Sequence, residues 1–328
     1  MRTDELDYEL PEASIAQRPV EPRDRARLLV DRGPGRPPEH RTVADLPELV
    51  GPGDVVVVND TRVRRARLRC RRASGGAVEV LLVADLGAGR WEALVRPGRK
   101  VREGEVLVVG DSAVRVEVGT AGGDGLREVV VHGDPETVGE LPLPPYIHEP
   151  LVDDERYQTV YADRLGSAAA PTAGLHLTPA VLERCRAAGA TIETVELIVG
   201  LDTFRPITTE VVEEHPIHTE RYRVPEATWA ACAGADRVLA VGTTAVRALE
   251  SVAATGELEG STGLFIRPGF AWQVVDRLLT NFHVPRSSLL ALVAAFVGPR
   301  WRDMYADARR EGYRFLSFGD AMLLERAA

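Results

Sequence analysis

Two histidines in polar loops are candidates for acid–base chemistry in this chain of 328 residues. His176 lies in PTAGLHLT at 171–178, and His283 lies in TNFHVPRSS at 280–288. Because imidazole titrates near neutrality, either ring could accept or donate a proton, although a buried structural histidine would have the same local sequence. Asp320, in SFGDAM, is a third candidate for the same chemistry.

The spacing of histidines and cysteines does not favour a metal site or a disulfide. His215 and His218 are three residues apart, but Pro216 would break the helix that could align both rings, and no third ligand is suggested nearby. The cysteines are odd in number and far apart: Cys70, Cys185 and Cys232. We therefore expect neither a bound metal nor a disulfide framework.

The run GTT at 242–244 is a candidate anion site. It follows a predicted strand and opens a predicted helix, so its backbone N–H groups could hold an anion such as a carboxylate. A simple helix cap by Thr243 or Thr244 would have the same sequence. The segment PTAGLH lacks the lysine and the glycine spacing of a P-loop, so a nucleoside triphosphatase is not expected.

Seven arginines and no acidic residue occupy positions 61–72, in TRVRRARLRCRR. On a strand, every second arginine from Arg65 to Arg71 would share one face. Such a row suits phosphates, but it could instead protect a solvated edge strand from aggregation. The whole chain has 40 Lys+Arg against 49 Asp+Glu, a net charge of −9, so nucleic acid could be bound only through a local patch. Lys100 is the single lysine.

The elements that would position these residues follow two patterns. One is an alternation of β-branched strands and helices, typical of a partly parallel α/β sheet. It predicts strands at 55–60, 191–200, 237–242 and 263–269 and helices at 178–190, 225–235, 243–254 and 287–298. The other is a series of short β-rich runs, about ten residues apart and separated by glycine-containing turns, typical of an antiparallel barrel or sandwich. We predict an α/β domain, residues 1–61 and 146–328, interrupted by a β-barrel domain at 62–145.

No segment predicts export or membrane insertion. The N-terminal run MRTDELDYELPEASIAQRP lacks the apolar core of a signal peptide. No uninterrupted apolar run approaches the roughly 20 residues needed to span a bilayer. We expect a cytoplasmic protein, and the sequence leaves open whether it is a monomer or a homodimer.

Taken in order, the polar runs resemble the family of S-adenosylmethionine:tRNA ribosyltransferase-isomerases of queuosine biosynthesis. The matching runs include DYELPEASIAQRP (7–19), NDTRV (59–63), RPGRK (96–100), LPLPPYI (141–147), AAPTAGLHLT (169–178), TFRPI (203–207), HPIHTE (215–220), AVGTTAVRALE (240–250), DRLLTNFHVPRSSLLALVAAFVG (276–298) and YRFLSFGDAML (313–323). They fall in the family's order and span nearly the whole chain, so the chain is identified as a member.

The resemblance implies an α/β domain with an inserted β-barrel, and it also implies a reaction. The ribosyl portion of the co-substrate S-adenosylmethionine would be transferred to the aminomethyl group of a 7-deazaguanine at the tRNA wobble position. The sugar would rearrange to an epoxycyclopentane, and adenine and methionine would leave. No metal or redox cofactor is implied, and the partner is the tRNA anticodon arm. The acid–base tasks would fall to His176, His283 and Asp320.

The same motifs supply candidate substrate-binding residues. The methionyl carboxylate could be bound at Thr243 and Thr244 or by Arg247. The anticodon arm needs cations, and three match family positions: Arg62, Arg96 and Lys100. The remaining candidates lie in the matching runs: Asn59, Asp60, Thr172, Gly174, Thr203, Arg205, His218, Glu220 and Asn281.

One run departs from the family pattern. Where members usually carry a histidine in LHVGxGTF, this chain has LIVGLDTF, with Ile198 at the histidine position and Asp202 at a glycine position. Two other interpretations of the function therefore stay open. One is a paralogue that uses S-adenosylmethionine on a small molecule, and the other is a catalytically silent RNA-binding homologue.

Overall fold

The computed structural model describes residues 1–200, 206–217 and 219–327, and the chain forms two compact units. The first unit combines residues 1–62 and 144–328, and the second comprises residues 63–143. The strands are β1 (Arg27–Val30), β2 (Glu39–Thr42), β3 (Asp54–Asn59), β4 (Thr61–Val63), β5 (Arg67–Arg71), β6 (Ala77–Gly87), β7 (Arg90–Arg96), β8 (Val106–Val109), β9 (Arg115–Ala121), β10 (Leu126–His132), β11 (Arg164–Ser167), β12 (Thr191–Leu197), β13 (Glu220–Arg223), β14 (Arg237–Val241), β15 (Glu259–Thr262), β16 (Arg277–Asn281) and β17 (Ala321–Glu325). The helices are α1 (Pro179–Ala187), α2 (Glu226–Ala233), α3 (Thr243–Thr255), α4 (Ser288–Val297) and α5 (Trp301–Arg310).

The first unit is built around a nine-stranded mixed sheet with the strand order β15-β13-β12-β3-β14-β16-β17-β1-β2. Its interior strand β3 pairs in parallel with both β12 and β14, and β14 pairs in parallel with β16. Val55 and Val57 of β3 belong to one hydrophobic core, and Val56 and Val58 belong to the core on the opposite face. Because both faces are covered, the strand is a continuous apolar run rather than an alternating one.

The four helices that the sequence predicts are confirmed as α1, α2, α3 and α4. α1 begins after Thr178, whose side-chain oxygen accepts a hydrogen bond from the Val181 amide at 3.2 Å. α4 begins after Ser287, whose side-chain oxygen accepts from the Leu290 amide at 3.2 Å. Both are the hydroxyl caps that helix starts favour.

The second unit is a closed antiparallel barrel with the strand order β10-β7-β6-β5-β8-β9. Together with the α/β sheet of the first unit, it confirms the predicted fold class. In β5, Leu68 and Cys70 are buried, whereas Arg69 and Arg71 are exposed, as a period of two requires. β5 pairs with β6 on one side and with β8 on the other, so the alternative of a solvated edge strand is wrong.

The predicted strand at 263–269 is also wrong. β15 lies just before it and pairs with β13. The guanidinium of Arg247 donates to the carbonyl oxygens of Leu264 at 3.2 Å and Thr262 at 3.3 Å. The apolar side chains of Leu264 and Phe265 pack against the core from a loop. A short apolar run between turn residues does not distinguish these two structures.

Candidate active site

Four parallel strands of the first unit end at one edge of the sheet. These are β12, β3, β14 and β16, and the antiparallel β17 begins at the same edge because Ala321 pairs with Asn281. The polar segments that follow β14 and β16 therefore lie close together. Crevices at such edges are the usual ligand sites of open α/β sheets.

Two adjoining clefts at this edge share the residues Thr172, Asn281, His283 and Leu289. We call the two clefts together the sheet-edge groove. One end of the groove is lined by residues 242–244, at the start of α3. The other end is lined by Tyr146, Phe282, Val284, Ser287, Leu316 and Ser317.

His283 lies in the middle of the sheet-edge groove. The residue is 8% exposed, and its Nε2 lies 2.9 Å from Oγ1 of Thr280. Its backbone N–H donates to the Tyr305 hydroxyl at 3.0 Å, which fixes the main chain. Burial lowers the pKa of His283 to about 3, so the imidazole is neutral at pH 7. No described residue forms a hydrogen bond with its Nδ1, which leaves this nitrogen available to a ligand.

His176 has a different environment. It ends the 3-10 turn Thr172–His176, and its Nδ1 lies 3.0 Å from the carbonyl oxygen of Ala173. Its Nε2 lies 2.8 Å from the carbonyl oxygen of Gly319. Burial lowers the pKa of His176, and the two carbonyls and Asp320 oppose that shift. Because both ring nitrogens face main-chain acceptors, the geometry favours a positioning role over direct proton transfer.

Asp320 is a buried carboxylate that shapes the turn in front of β17. Its Oδ1 accepts from the Arg27 amide at 2.9 Å, and its Oδ2 accepts from the Arg314 amide at 2.8 Å. This turn carries Ser317 to the end of the groove, but Asp320 itself is not among the lining residues. The two oxygens of Asp320 therefore hold this turn in place.

Thr172 and Asn281 are joined at the wall of the sheet-edge groove. Thr172 Oγ1 donates to Asn281 Oδ1 at 2.9 Å, and Asn281 Nδ2 donates to the carbonyl oxygen of Leu316 at 3.1 Å. Gly174 lies in the same turn as Thr172 but contacts Tyr161 instead, because a Cβ at Gly174 would lie 2.0 Å from the Tyr161 hydroxyl. Gly174 thus serves packing, whereas Thr172 and Asn281 line both clefts of the groove.

Asn59 and Asp60 lie outside the lining of the sheet-edge groove. The Asn59 side chain donates to the Leu197 carbonyl at 3.0 Å and accepts from the Leu197 amide at 3.2 Å, which ties β3 to β12. Asp60 is buried, with Oδ2 3.6 Å from Nε of Arg164. Burial raises the pKa of Asp60, and the positive charge of Arg164 opposes the shift. The side chain of Asn59 is therefore hydrogen-bonded within the sheet.

Arg247 and Glu220 form a buried ion pair with each other. The second oxygen of Glu220, Oε1, accepts from the Gly200 amide at 2.9 Å. The Arg247 guanidinium also donates to two main-chain carbonyls of the chain after α3. The Arg247 guanidinium therefore already has partners within the protein. The start of α3 is the better candidate for binding a substrate carboxylate.

A family model described as "Queuosine biosynthesis protein" matches residues 3–324. The chain belongs to this family. It is 53% identical to a protein of Rubrobacter xylanophilus, over 99% of this chain and 98% of the relative, and 50% identical to one of Moorella thermoacetica, over 99% and 100%. Both relatives are named S-adenosylmethionine:tRNA ribosyltransferase-isomerase. A crystal structure of S-adenosylmethionine tRNA ribosyltransferase from Thermotoga maritima covers 97% of this chain, and the chain covers 99% of it, with 38% identity and a TM-score of 0.57.

Membership of the queuosine biosynthesis family confirms the resemblance that the motifs predicted. Of the three cations expected to contact tRNA, Arg62 forms an ion pair with Glu155 in the first unit. Arg96 and Lys100 belong to the barrel, and both are exposed. Neither of these two makes an ion pair with a residue that the structure describes.

The arginine row on the barrel is largely neutralised by acids of neighbouring barrel segments. Arg69 pairs with Glu79 at 2.9 Å and with Glu140 at 3.1 Å, and Arg72 pairs with Glu105 at 2.6 Å. A further arginine, Arg64, pairs with Glu136 at 3.2 Å. These ion pairs could not be predicted from the sequence, because the acidic partners lie in other segments of the chain.

Three candidates from the sequence, Thr203, Arg205 and His218, lie outside the described residues, as does Asp202. Ile198, where family members carry a histidine, follows β12, and its amide donates to the Arg221 carbonyl at 2.9 Å. Its Cδ1 lies 3.8 Å from where a Cβ on Gly166 would be. Ile198 therefore packs towards β11, and it does not line the sheet-edge groove.

Sequence reasoning missed Tyr146 and Ser317, which lie 2.7 Å apart through their hydroxyl oxygens at one end of the groove. Their runs, LPLPPYI and YRFLSFGDAML, were among the family motifs, but a tyrosine and a serine there have ordinary packing explanations. It also missed Thr280, the partner of the His283 imidazole.

The described ranges hold neither a metal-binding cluster nor a membrane-spanning helix. No cluster of three or more His, Cys, Asp or Glu side chains there could hold a metal ion. None of the helices in those ranges has the length and apolar character that a bilayer crossing requires.

Proposed function

We propose that this protein transfers the ribosyl portion of S-adenosylmethionine to the 7-aminomethyl-7-deazaguanine wobble base of tRNA and isomerises it, which gives epoxyqueuosine. Adenine and methionine are released. One observation carries the proposal: relatives that are 46–53% identical along at least 98% of this chain share the name S-adenosylmethionine:tRNA ribosyltransferase-isomerase. That uniformity favours tRNA over a small-molecule acceptor, and the reaction belongs to the cytoplasm, where tRNA is modified.

His283 is the residue that we assign to proton transfer. The positive sulfonium acidifies the hydrogens on the ribose 5′ carbon, so a neutral imidazole can remove one of them. Thr280 holds Nε2 and leaves Nδ1 to face a ligand. The same nitrogen, once protonated, can return the proton to a ring nitrogen of the departing adenine.

Thr172 and Asn281 hold the reacting sugar beside His283. Their mutual hydrogen bond fixes the side chains before substrate binds, which reduces the entropy lost in reaching a reactive geometry. His176 and Asp320 support the same wall by fixing the segment 314–320.

The anticodon arm is held in part by the exposed barrel cations Arg96 and Lys100. No described residue forms an ion pair with either side chain. Phosphate contacts of this kind supply affinity that falls with salt.

Acceptor-dependent release of adenine tests the proposed function. The full chain is incubated with S-adenosylmethionine and either tRNA carrying the aminomethyl-deazaguanine, the same tRNA carrying guanine, or the free modified base. We expect adenine, measured by chromatography, only with the first acceptor. Release with the free base alone would favour a small-molecule enzyme, and no release with any acceptor would favour a silent homologue.

A further inference from the structure

We propose that the start of α3, residues 242–244, binds the carboxylate of the methionyl portion and thereby sets the direction of S-adenosylmethionine in the sheet-edge groove. This inference rests on the proposed function. It adds which chemical group binds at which end of the groove, and it requires no positively charged side chain there.

The first observation is an uncapped helix start. α3 is 13 residues long, and no side chain in the described ranges caps it. The first amide with a main-chain partner is that of Val246, which donates to the Gly242 carbonyl at 3.3 Å. The amides of Thr243, Thr244 and Ala245 have no acceptor among the described residues. Three unpaired N–H groups at the positive end of a helix attract an anion.

The second observation is a buried hydroxyl without a partner. Thr244 is 8% exposed and lines the groove, and its Oγ1 has no hydrogen-bond partner among the described residues. This oxygen would lie 3.5 Å from a Cβ on Gly242, so it sits at the helix start itself. A buried hydroxyl is costly when unpaired, and a bound carboxylate would accept its hydrogen. Gly242 has φ +88°, a backbone conformation that favours glycine over residues with a Cβ. The start of α3 is therefore not covered by a side chain at position 242.

The charge of the site selects the kind of anion. The described residues that line this end include no Lys, Arg, Asp or Glu. The nearest cation on the helix, Arg247, is paired with Glu220. A phosphate dianion would bring two negative charges to a site without a cationic side chain, whereas a single carboxylate charge matches three amides and one hydroxyl.

The other end of the groove suits the adenosyl portion. It offers the aromatic and apolar side chains of Tyr146, Phe282 and Leu316 together with the hydroxyl of Ser317. Because His283 lines both clefts, a ligand that spans them places its sulfonium and ribose 5′ carbon beside the imidazole. The direction of binding thus brings the acidified hydrogen to the proposed base.

A pair of ligands that differ in the amino-acid portion tests the assignment. S-adenosylhomocysteine has the carboxylate, and 5′-methylthioadenosine lacks it. We expect Thr244→Val, which keeps the shape and removes the hydroxyl, to weaken the first ligand about tenfold in calorimetry, the loss typical of a hydrogen bond to a charged group. Binding of the second ligand should change less than about twofold. The matched control is Thr255→Val at the other end of α3, which should leave both affinities unchanged.

Thr243→Pro provides an independent variant that removes one amide. Proline is favourable at the first position of a helix, so the fold should be retained. The variant should show the same selective loss for S-adenosylhomocysteine. Equal losses for both ligands, or no loss for either ligand in both variants, would overturn the carboxylate site while leaving the proposed function standing. Failure of the wild-type protein to bind either ligand, together with no release of adenine from S-adenosylmethionine with any acceptor, would overturn both.

Discussion

The two buried histidines differ in what their ring nitrogens contact. Both nitrogens of His176 face main-chain carbonyl oxygens, whereas His283 has one nitrogen on Thr280 and the other available in the groove. The sequence placed the two residues in similar polar loops and could not separate their roles. The deciding contact of His176 is with Gly319, 143 residues further along the chain. A single sequence does not contain that proximity.

Glutamine at each histidine position tests this division of roles. His283→Gln should lower the single-turnover rate of adenine release by about 10²–10⁴-fold, the usual contribution of a general acid–base group. Its affinity for S-adenosylhomocysteine should stay within a few fold. His176→Gln retains one N–H donor, so we expect a smaller loss of rate, together with a loss of about 1 kcal/mol in the free energy of unfolding.

Both variants need a denaturation curve beside the rate measurement. Near-normal turnover in His283→Gln would remove it from proton transfer. Loss of turnover in a fully stable His176→Gln would restore His176 to that role.

At the scale of elements, the sequence predicted those strands and helices whose burial follows from local pattern. The four valines before Asn59 gave an interior strand because both sheet faces are covered. The same kind of pattern failed at 263–269, where the chain after β15 forms a loop whose apolar side chains Leu264 and Phe265 pack against the core. It also failed for the arginine row on β5, because charge neutralisation depends on which acids the barrel brings alongside.

The barrel cations give a prediction with an internal control. Arg96, at the end of β7, and Lys100 are exposed, and neither has an ion-pair partner within the described ranges. Replacing both with glutamine should lower kcat/KM for tRNA. It should also reduce the slope of log kcat/KM against log salt by about 1.5 if both contact phosphates.

The control is the pair Arg69→Gln and Arg72→Gln, which changes the net charge by the same amount but removes arginines that already have acidic partners. Its salt slope should equal that of the wild type. A reduction of the slope by the same amount in both double variants would show that the net charge of the protein, and not these two exposed cations, governs tRNA binding.

At the scale of the whole molecule, the fold class and the family followed from the order of motifs along the chain. The architecture of the groove did not. Its walls come from segments around residues 146, 172, 243, 283 and 317, which the nine-stranded sheet brings to one edge. Motif matching identified these segments without showing which side chains face the groove. Asn59 and Arg247 stay predictions as substrate-binding residues, and in the structure their side chains bond within the protein.

The position of an isotopic label tests the central claim, ribosyl transfer to tRNA, most directly. The protein is incubated with tRNA carrying the aminomethyl-deazaguanine and with S-adenosylmethionine labelled with carbon-13 either in the ribose or in the methyl group. The wobble nucleoside is then analysed by mass spectrometry. We predict that the ribose label appears in the epoxycyclopentane of the nucleoside and that the methyl label leaves with methionine. A nucleoside that carries the methyl label, or one that carries neither the ribose label nor the methyl label, would contradict the proposed function.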